Sequence, residues 1–546
     1  MCAYERLNNS YSCHNSKALN GLLKTELNFQ GFVLSDWFAQ HTGVASAMAG
    51  LDMVMPYGNM YWGPNLTNAV HNGSVPESQI NNMATRIMAA WYLSHQDDPE
   101  LPPVGIGVPA DYGKPHPVID ARNPDDEGVL LEGAIQGHVL VKNVNYALPL
   151  SSPRILSIYG YDAKVADTNI AKAGINGWTQ GLQAHDYRSV ECGFGLTGGH
   201  CPPFAPIAPN GTIIGGGGSA AITPVYISSP FQALDARARR DRTQLFWDLE
   251  GTQVTNIEAD ACLVFVNAAS SEGVDRPALR DDYSDGLIID IASQCNNTVV
   301  IIHNAGVRLV DQWIDHPNVT AVILAHLPGQ DSGEAITQIL YGDVSPSGKL
   351  PYTLPRNESD YGSLLNPVTY SDWDRYFPQD NFTEGVFIDY RAFDRNGVTP
   401  RFEFGFGMTY TTFEYANLKV LHALELSELS EYPTGPVIPG GNADLWDTVA
   451  VVTAGITNTG PVEAAEIAQL YIQVPDEAQP VLQLRGFDKV TVPPGETRAV
   501  DFKIRRRDIS IWDVASQKWR LIVGSQYPIF VGASSRNIIL NGTLEL

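Results

Sequence analysis

Four short apolar runs constrain this chain most: Ile155 to Ile158, Cys262 to Val266, Val299 to His303 and Val319 to Leu324. Each reads as a strand, and helical stretches separate several of them, notably Gly286 to Gln294. Glu132 to Asn143 reads as a helix running into one further strand. Alternation of this kind predicts a layered α/β sandwich. A chain of 546 residues has room for about three such units and for a sizeable core.

The first hundred residues carry a different signal. Phe32-Val33-Leu34 ends abruptly in Ser35-Asp36-Trp37, a short strand that delivers one carboxylate and one indole to its C-terminal edge. Upstream lie Met1-Cys-Ala-Tyr4 and a helical segment from Leu19 to Leu27. Downstream, Ala49 to Pro56 is a second apolar run with one acid, followed by a helix over Glu77 to Leu93 that opens at Pro76. Strand, helix, strand, helix is the repeat of a parallel βα barrel. A lone Asp at a strand end also serves as a helix N-cap. Beside an aromatic ring it suits sugar chemistry, in which the carboxylate meets an anomeric carbon and the ring stacks on a pyranose face.

A second carboxylate stands after the run Val264-Phe-Val-Asn267, in Ala268-Ala-Ser-Ser-Glu272-Gly273-Val274-Asp275-Arg276-Pro277. A loop at the C-terminal end of a strand can present such a group to a neighbouring cleft. Gly215-Gly-Gly-Gly-Ser219 is not followed by Lys-Ser/Thr, so it fails as a phosphate-binding loop. His303 and His326, at strand ends, read as structural histidines. Gly342 to Pro351 reads as turn chemistry.

These motifs resemble glycoside hydrolase family 3, the retaining β-glucosidases. Ser35-Asp36-Trp37 is similar to the family's nucleophile motif, and the Glu272 loop to its acid/base loop. The stretch after Pro277 resembles one subgroup of fungal members. The resemblance implies Asp36 as nucleophile and Glu272 as acid/base. It implies Tyr4, Trp37 and Ser219 as sugar contacts, no metal and no cofactor. The family often has an aromatic residue after Glu-Gly where this chain has Val274, which weakens the expected leaving-group subsite. The implied reaction is retaining hydrolysis of terminal non-reducing β-D-glucosyl units from cellobiose, short β-glucans or aryl glucosides. A family 3 β-xylosidase and a non-catalytic carbohydrate- or protein-binding remnant are the alternatives.

After about residue 400 the pattern changes to short alternating runs: Tyr415 to Leu421, Val449 to Thr457, Ala464 to Val474, Ala499 to Ile504 and Trp519 to Val523. Turns such as Pro493-Pro-Gly-Glu496 separate them. This spacing predicts a β-sandwich, which resembles the fibronectin type III-like domain of family 3 enzymes. The expected organisation is multidomain α/β plus all-β. Residues 1–95 are a (β/α) barrel remnant, 96–122 a linker rich in Pro, Gly and Asp, and 123–355 the α/β sandwich. A connecting segment (356–400) and the fibronectin type III-like domain (401–546) complete the chain. A βα barrel needs eight units and about 250 residues. The chain is therefore expected to lack most of it, to expose strand edges and apolar surface, and to act weakly alone.

A formal net charge of −25 argues against nucleic acid or an anionic membrane as partner. No apolar run is long enough to span a bilayer. Nine Asn-x-Ser/Thr sequons, at Asn8, Asn65, Asn72, Asn210, Asn296, Asn318, Asn357, Asn381 and Asn541, point to a secreted glycoprotein. So does the cysteine spacing: Cys2 with Cys13 and Cys192 with Cys201 are each able to close a small loop. Cys262 and Cys295 read as buried thiols, and no spacing suggests a zinc site. The expected partner is a β-glucoside or oligosaccharide, met outside the cell.

Overall fold

The computed structural model describes residues 1–58, 60–101, 122–166, 207–208, 211–217, 224–251, 256, 258–270, 272, 275–365, 379–424 and 429–546. The 96–122 linker lies largely outside these residues, as do Cys192, Cys201, Asn210, Ser219, Gly273 and Val274.

The central unit is a six-stranded sheet. In order across it run Val139–Asn143, Val319–Leu324, Thr298–Asn304, Ala261–Ala268, Ile155–Tyr159 and Gln244–Asp248. The first pairs antiparallel with its neighbour, and the other pairings are parallel. Every residue of the three middle strands Val319–Leu324, Thr298–Asn304 and Ala261–Ala268 is buried. That burial explains their unbroken apolar sequence: parallel strands are covered on both faces. Asp282–Gln294 buries Leu287, Ile288 and Ile291 in one core layer, and Ser332–Tyr341 buries Ile336, Ile339 and Leu340 in the opposite one. Sequence periodicity starts the first helix late: it spans Glu127–Gln136.

Cys262 and Cys295 are not thiols. They form a disulfide that fastens the start of the Ala261–Ala268 strand to the end of the Asp282–Gln294 helix. Apolar flanks hide such a pairing in sequence, because cystine is as much at home in a core as cysteine.

Residues 1–101 form a separate small core around Leu19, Val33, Leu51, Trp62 and Met83. Its strands Leu34–Trp37 and Met53–Met55 are parallel. The Lys17–Glu26 segment is a π-helix rather than an α-helix. Helices Pro64–His71 and Glu77–Leu93 follow. In Glu77–Leu93 Met83 alone is fully buried, whereas Met88, Trp91, Tyr92 and Leu93 are exposed, Leu93 at 82%. Apolar side chains along one helix face make a packing surface that these residues leave uncovered.

The C-terminal unit is a β-sandwich. Phe413–His422, Thr448–Asn458 and Thr497–Arg505 form one sheet. Gln483–Val492, Ala464–Ile472, Gln526–Gly532 and Ile538–Glu545 form the other. Sequence patterning gives five runs here. It misses Gln483–Val492, Gln526–Gly532 and Ile538–Glu545, whose apolar residues are interrupted by Gly, Lys, Pro and Asn. The sandwich is tied to the central unit through Lys349, whose buried ammonium lies 3.3 Å from Glu466. Glu466 also accepts from Tyr415 at 2.7 Å.

Candidate active site

Asp36 stands on a short but well-braced strand. On one side Cys2 forms an isolated parallel bridge: its N–H donates to the Leu34 carbonyl at 2.9 Å and its carbonyl accepts from Asp36 N–H at 2.8 Å. On the other side Leu34 pairs with Met53 and Trp37 with Met55. Beneath the strand, buried Asp52 accepts from Val33 N–H at 2.8 Å and from Lys24 Nζ at 2.7 and 2.9 Å. Both of those side chains are nearly sealed from water. Burial holds the Lys24 ammonium below its ordinary pKa, opposed by Asp52. The single acid in the second apolar run is therefore a brace.

The Asp36 carboxylate accepts from Trp37 N–H at 2.6 Å and from the Tyr4 hydroxyl at 3.1 Å. Tyr4 lies inside the loop closed by the Cys2–Cys13 disulfide. Its ring is half exposed and Trp37 is partly buried. Phe38 and Tyr57 add an exposed edge-to-face pair with centroids 5.6 Å apart. Sequence reasoning misses both, because no periodicity marks residues beyond a strand tip.

Glu272 follows the Ala261–Ala268 strand. From Ile155–Tyr159 the chain moves outward to Gln244–Asp248 on one side and then to Ala261–Ala268 on the other. Strand order reverses there, which opens a crevice at the C-terminal edge of the sheet. Glu272 is exposed at this edge. Its N–H donates to the Gly217 carbonyl at 3.3 Å, and Gly217 N–H donates to Ser270 at 3.0 Å. Tyr4 is hydrogen-bonded to Asp36 and feels the charge of Glu272. Partial burial, the Asp36 hydrogen bond and the negative charges of Asp36 and Glu272 push its phenol up to about 12.

Both strand-end histidines have hydrogen-bond partners within the fold. His303 is fully buried between Asp162 and Ser332, with Nδ1 on Asp162 and Nε2 3.0 Å from the Ser332 hydroxyl. His326 contacts the Gly137 carbonyl and the Tyr352 hydroxyl, each at 3.0 Å. Burial keeps its pKa below the ordinary value. Among the described residues no group of three His, Cys, Asp or Glu side chains is arranged to hold a metal ion. No helix among them is long and apolar enough to cross a membrane.

Profiles of known families match three stretches. The glycosyl hydrolase family 3 N-terminal domain matches residues 1–90, the C-terminal domain 138–410, and a fibronectin type III-like domain 466–535. The chain belongs to glycoside hydrolase family 3. The family's N-terminal domain is thus represented in it. "Probable beta-glucosidase M" of Aspergillus niger is 50% identical over 548 residues, which cover 100% of this chain and 67% of that protein. Beta-glucosidase cel3A of Pyricularia oryzae is likewise 50% identical, covering 100% and 68%. Among solved family 3 structures, the beta-D-glucoside glucohydrolase of Trichoderma reesei superposes with a TM-score of 0.81 at 35% identity, covering 100% of this chain and 72% of that one. The Chaetomium thermophilum beta-glucosidase gives 0.85 at 35%, covering 99% and 73%. The family 3 chain described here is a glycosidase of the β-glucosidase type, with α/β units and a fibronectin type III-like β-sandwich.

Proposed function

We propose that Asp36 is the nucleophile and Glu272 the acid/base of retaining hydrolysis at terminal non-reducing β-D-glucosyl units. The observation that carries this reading is the Tyr4 phenol, hydrogen-bonded to Asp36 and within the field of Glu272. The two carboxylates lie on different units of the fold, and the charge of each bears on this phenol. An Asp36 oxygen attacks the anomeric carbon as the glycosidic C–O bond breaks. The departing oxygen takes its electron pair and the Glu272 proton. Water then attacks the glucosyl-enzyme, gives its proton to Glu272 and releases Asp36 as carboxylate. Retention asks for carboxyls about 5–5.5 Å apart. Tyr4 and Trp37 border the sugar, and Ser219 is a further sugar contact. Cellobiose, short β-glucans and aryl glucosides are the substrates.

Residues 1–95 act as part of a (β/α) barrel, 96–122 as a linker, 123–355 as the sandwich, 356–400 as a connector and 401–546 as the fibronectin type III-like domain. Two parallel strands plus the Cys2 bridge, against the eight strands of a closed barrel, support the partial-barrel reading. So does the uncovered face of Glu77–Leu93. On this reading the chain alone turns over slowly. Extracellular glycoprotein status draws support from the two disulfides among the described residues and from the sequons. Pairing of Cys192 with Cys201 would add a third.

A slow 2-deoxy-2-fluoroglucosyl substrate tests the assignment by trapping the covalent intermediate. Peptide mass mapping should find the added sugar on Asp36. Labelling of another carboxylate overturns the assignment. Aryl xyloside turned over faster than aryl glucoside would favour the xylosidase alternative.

A further inference from the structure

The chemistry of Asp36 and Glu272 leaves one buried polar cluster without a task. Asp162, Asn267, His303 and Ser332 are all fully buried at the C-terminal ends of the central strands. They come from four different segments. Asp162 Oδ1 accepts from Asn267 Nδ2 at 2.8 Å and from Ile213 N–H at 3.1 Å, while Oδ2 meets His303 Nδ1. His303 Nε2 faces the Ser332 hydroxyl. Burial raises the Asp162 carboxyl, and its three partners His303, Asn267 and Ile213 oppose that. Gly160 makes the approach possible. It has φ +94°, and a Cβ there would lie 2.0 Å from the Phe265 carbonyl oxygen.

The cluster leads directly to Glu272. Ile213, held by Asp162, begins the segment that reaches Gly217. Its flanks are pinned too: Thr212 N–H donates to the Lys164 carbonyl at 2.8 Å, and the Ile214 carbonyl accepts from Gly329 N–H at 3.0 Å. Gly217 then clamps both Ser270 and Glu272 through the backbone. A few residues thus separate a buried carboxylate from the backbone of the acid/base loop. Buried polar networks stabilise a core no better than apolar packing does, so stability alone does not account for this one.

We propose that Asp162 and His303 are positioning residues: through Ile213 to Gly217 they fix the place of the Glu272 carboxyl. The inference rests on the acid/base reading of Glu272 given above. A general acid must sit within hydrogen-bond reach of the leaving oxygen, and a misplacement of about 1 Å costs on the order of 100-fold in rate. Glu272 lies on an exposed loop, where such precision has to be imported from the core.

The test compares two substrates in the full 546-residue chain. Phenyl β-glucoside needs a proton donated to its leaving group, and 2,4-dinitrophenyl β-glucoside does not. In Asp162→Asn and His303→Gln, kcat/KM for the phenyl substrate should fall by about 30-fold or more, and for the dinitrophenyl substrate by less than about threefold. Azide, which attacks the glycosyl-enzyme without a base, should restore part of the dinitrophenyl kcat. Ser332→Ala, a milder cut, should move the substrate ratio the same way by about threefold. Equal losses on both substrates, in Ser332→Ala and in whichever stronger variant folds, overturn the proposal and leave a merely structural cluster. Glu272→Ala is the reference. If it lacks the leaving-group signature, the acid/base reading itself fails. If it shows the signature and the cluster variants do not, the positioning role fails alone.

Discussion

The seat of Asp36 is built from strand ladders, and that of Glu272 from loops. Asp36 is bonded through its own backbone to Cys2, on a strand paired with Met53–Met55 and braced by Lys24 and Asp52. Glu272 is held by one backbone bond to Gly217, at the end of a segment that begins at Ile213 on buried Asp162. The difference suits the proposed chemistry. A nucleophile attacks one carbon from one direction, whereas an acid/base must serve a departing oxygen and then an incoming water. Each seat should therefore fail in its own way.

The largest effect is expected at Asp36. Asp36→Asn should lower kcat by more than about 10⁴-fold on every substrate, with an unchanged melting temperature. A loss smaller than 100-fold would mean that another group forms the bond. Next comes the brace beneath it. Lys24→Met strands Asp52 in a sealed site and should cost about 3–5 kcal/mol of stability, read from urea unfolding. The corresponding cut on the other side, Cys262→Ala with Cys295→Ala, opens a 33-residue loop and should cost about 2–4 kcal/mol. It should leave kcat/KM largely intact, since the strand that leads to the Glu272 loop is buried along its whole length. If instead the disulfide removal abolishes activity, the loop seat is less independent of its strand than the hydrogen bonds imply.

Tyr4 is bonded to the Asp36 seat, feels the charge of Glu272 and gives a smaller signal. Tyr4→Phe should cost about tenfold in kcat/KM through the lost bond to Asp36. Its pKa is raised in the fold, so the phenol's contribution is complete below about pH 10 and is lost as pH climbs towards 12. The wild-type minus Tyr4→Phe ultraviolet difference should titrate near 12; a midpoint at 10 would detach Tyr4 from the carboxylates. Trp512→Ala, on the hairpin Ser510–Asp513 with Lys518–Leu521 of the fibronectin-like domain, should change kcat/KM by less than about twofold. A larger change would give that domain a part in the chemistry.

Much of this was legible in sequence wherever residue pattern and burial coincide. The largely apolar runs at Val299 and Val319 became central strands because both of their faces are covered. The candidate roles of Asp36 and Glu272 came from motifs that resemble those of family 3, since each alone reads as an ordinary acid beyond an apolar run. What stayed hidden depends on distant partners. Asp52 is only the one acid of the second apolar run until Lys24 is seen against it. Asp162 has no local signal, because its partners Ile213, Asn267 and His303 are brought to it only by the sheet. Cys262 and Cys295 are joined by the packing of a helix on a strand, which spacing does not record.

On the proposed assignment, the proton donor Glu272 follows a strand of the central sheet and the bond-making Asp36 lies on the strand Leu34–Trp37 of the preceding unit, so the two occupy separable stretches of chain. Recombination between them need not break either. A chimera with its crossover in the intervening chain would take its sugar preference from the parent that supplied Asp36. Its tolerance of leaving groups would come from the parent that supplied Glu272. Mismatched parents would be recognised by turnover on activated glucosides that outlasts turnover on disaccharides.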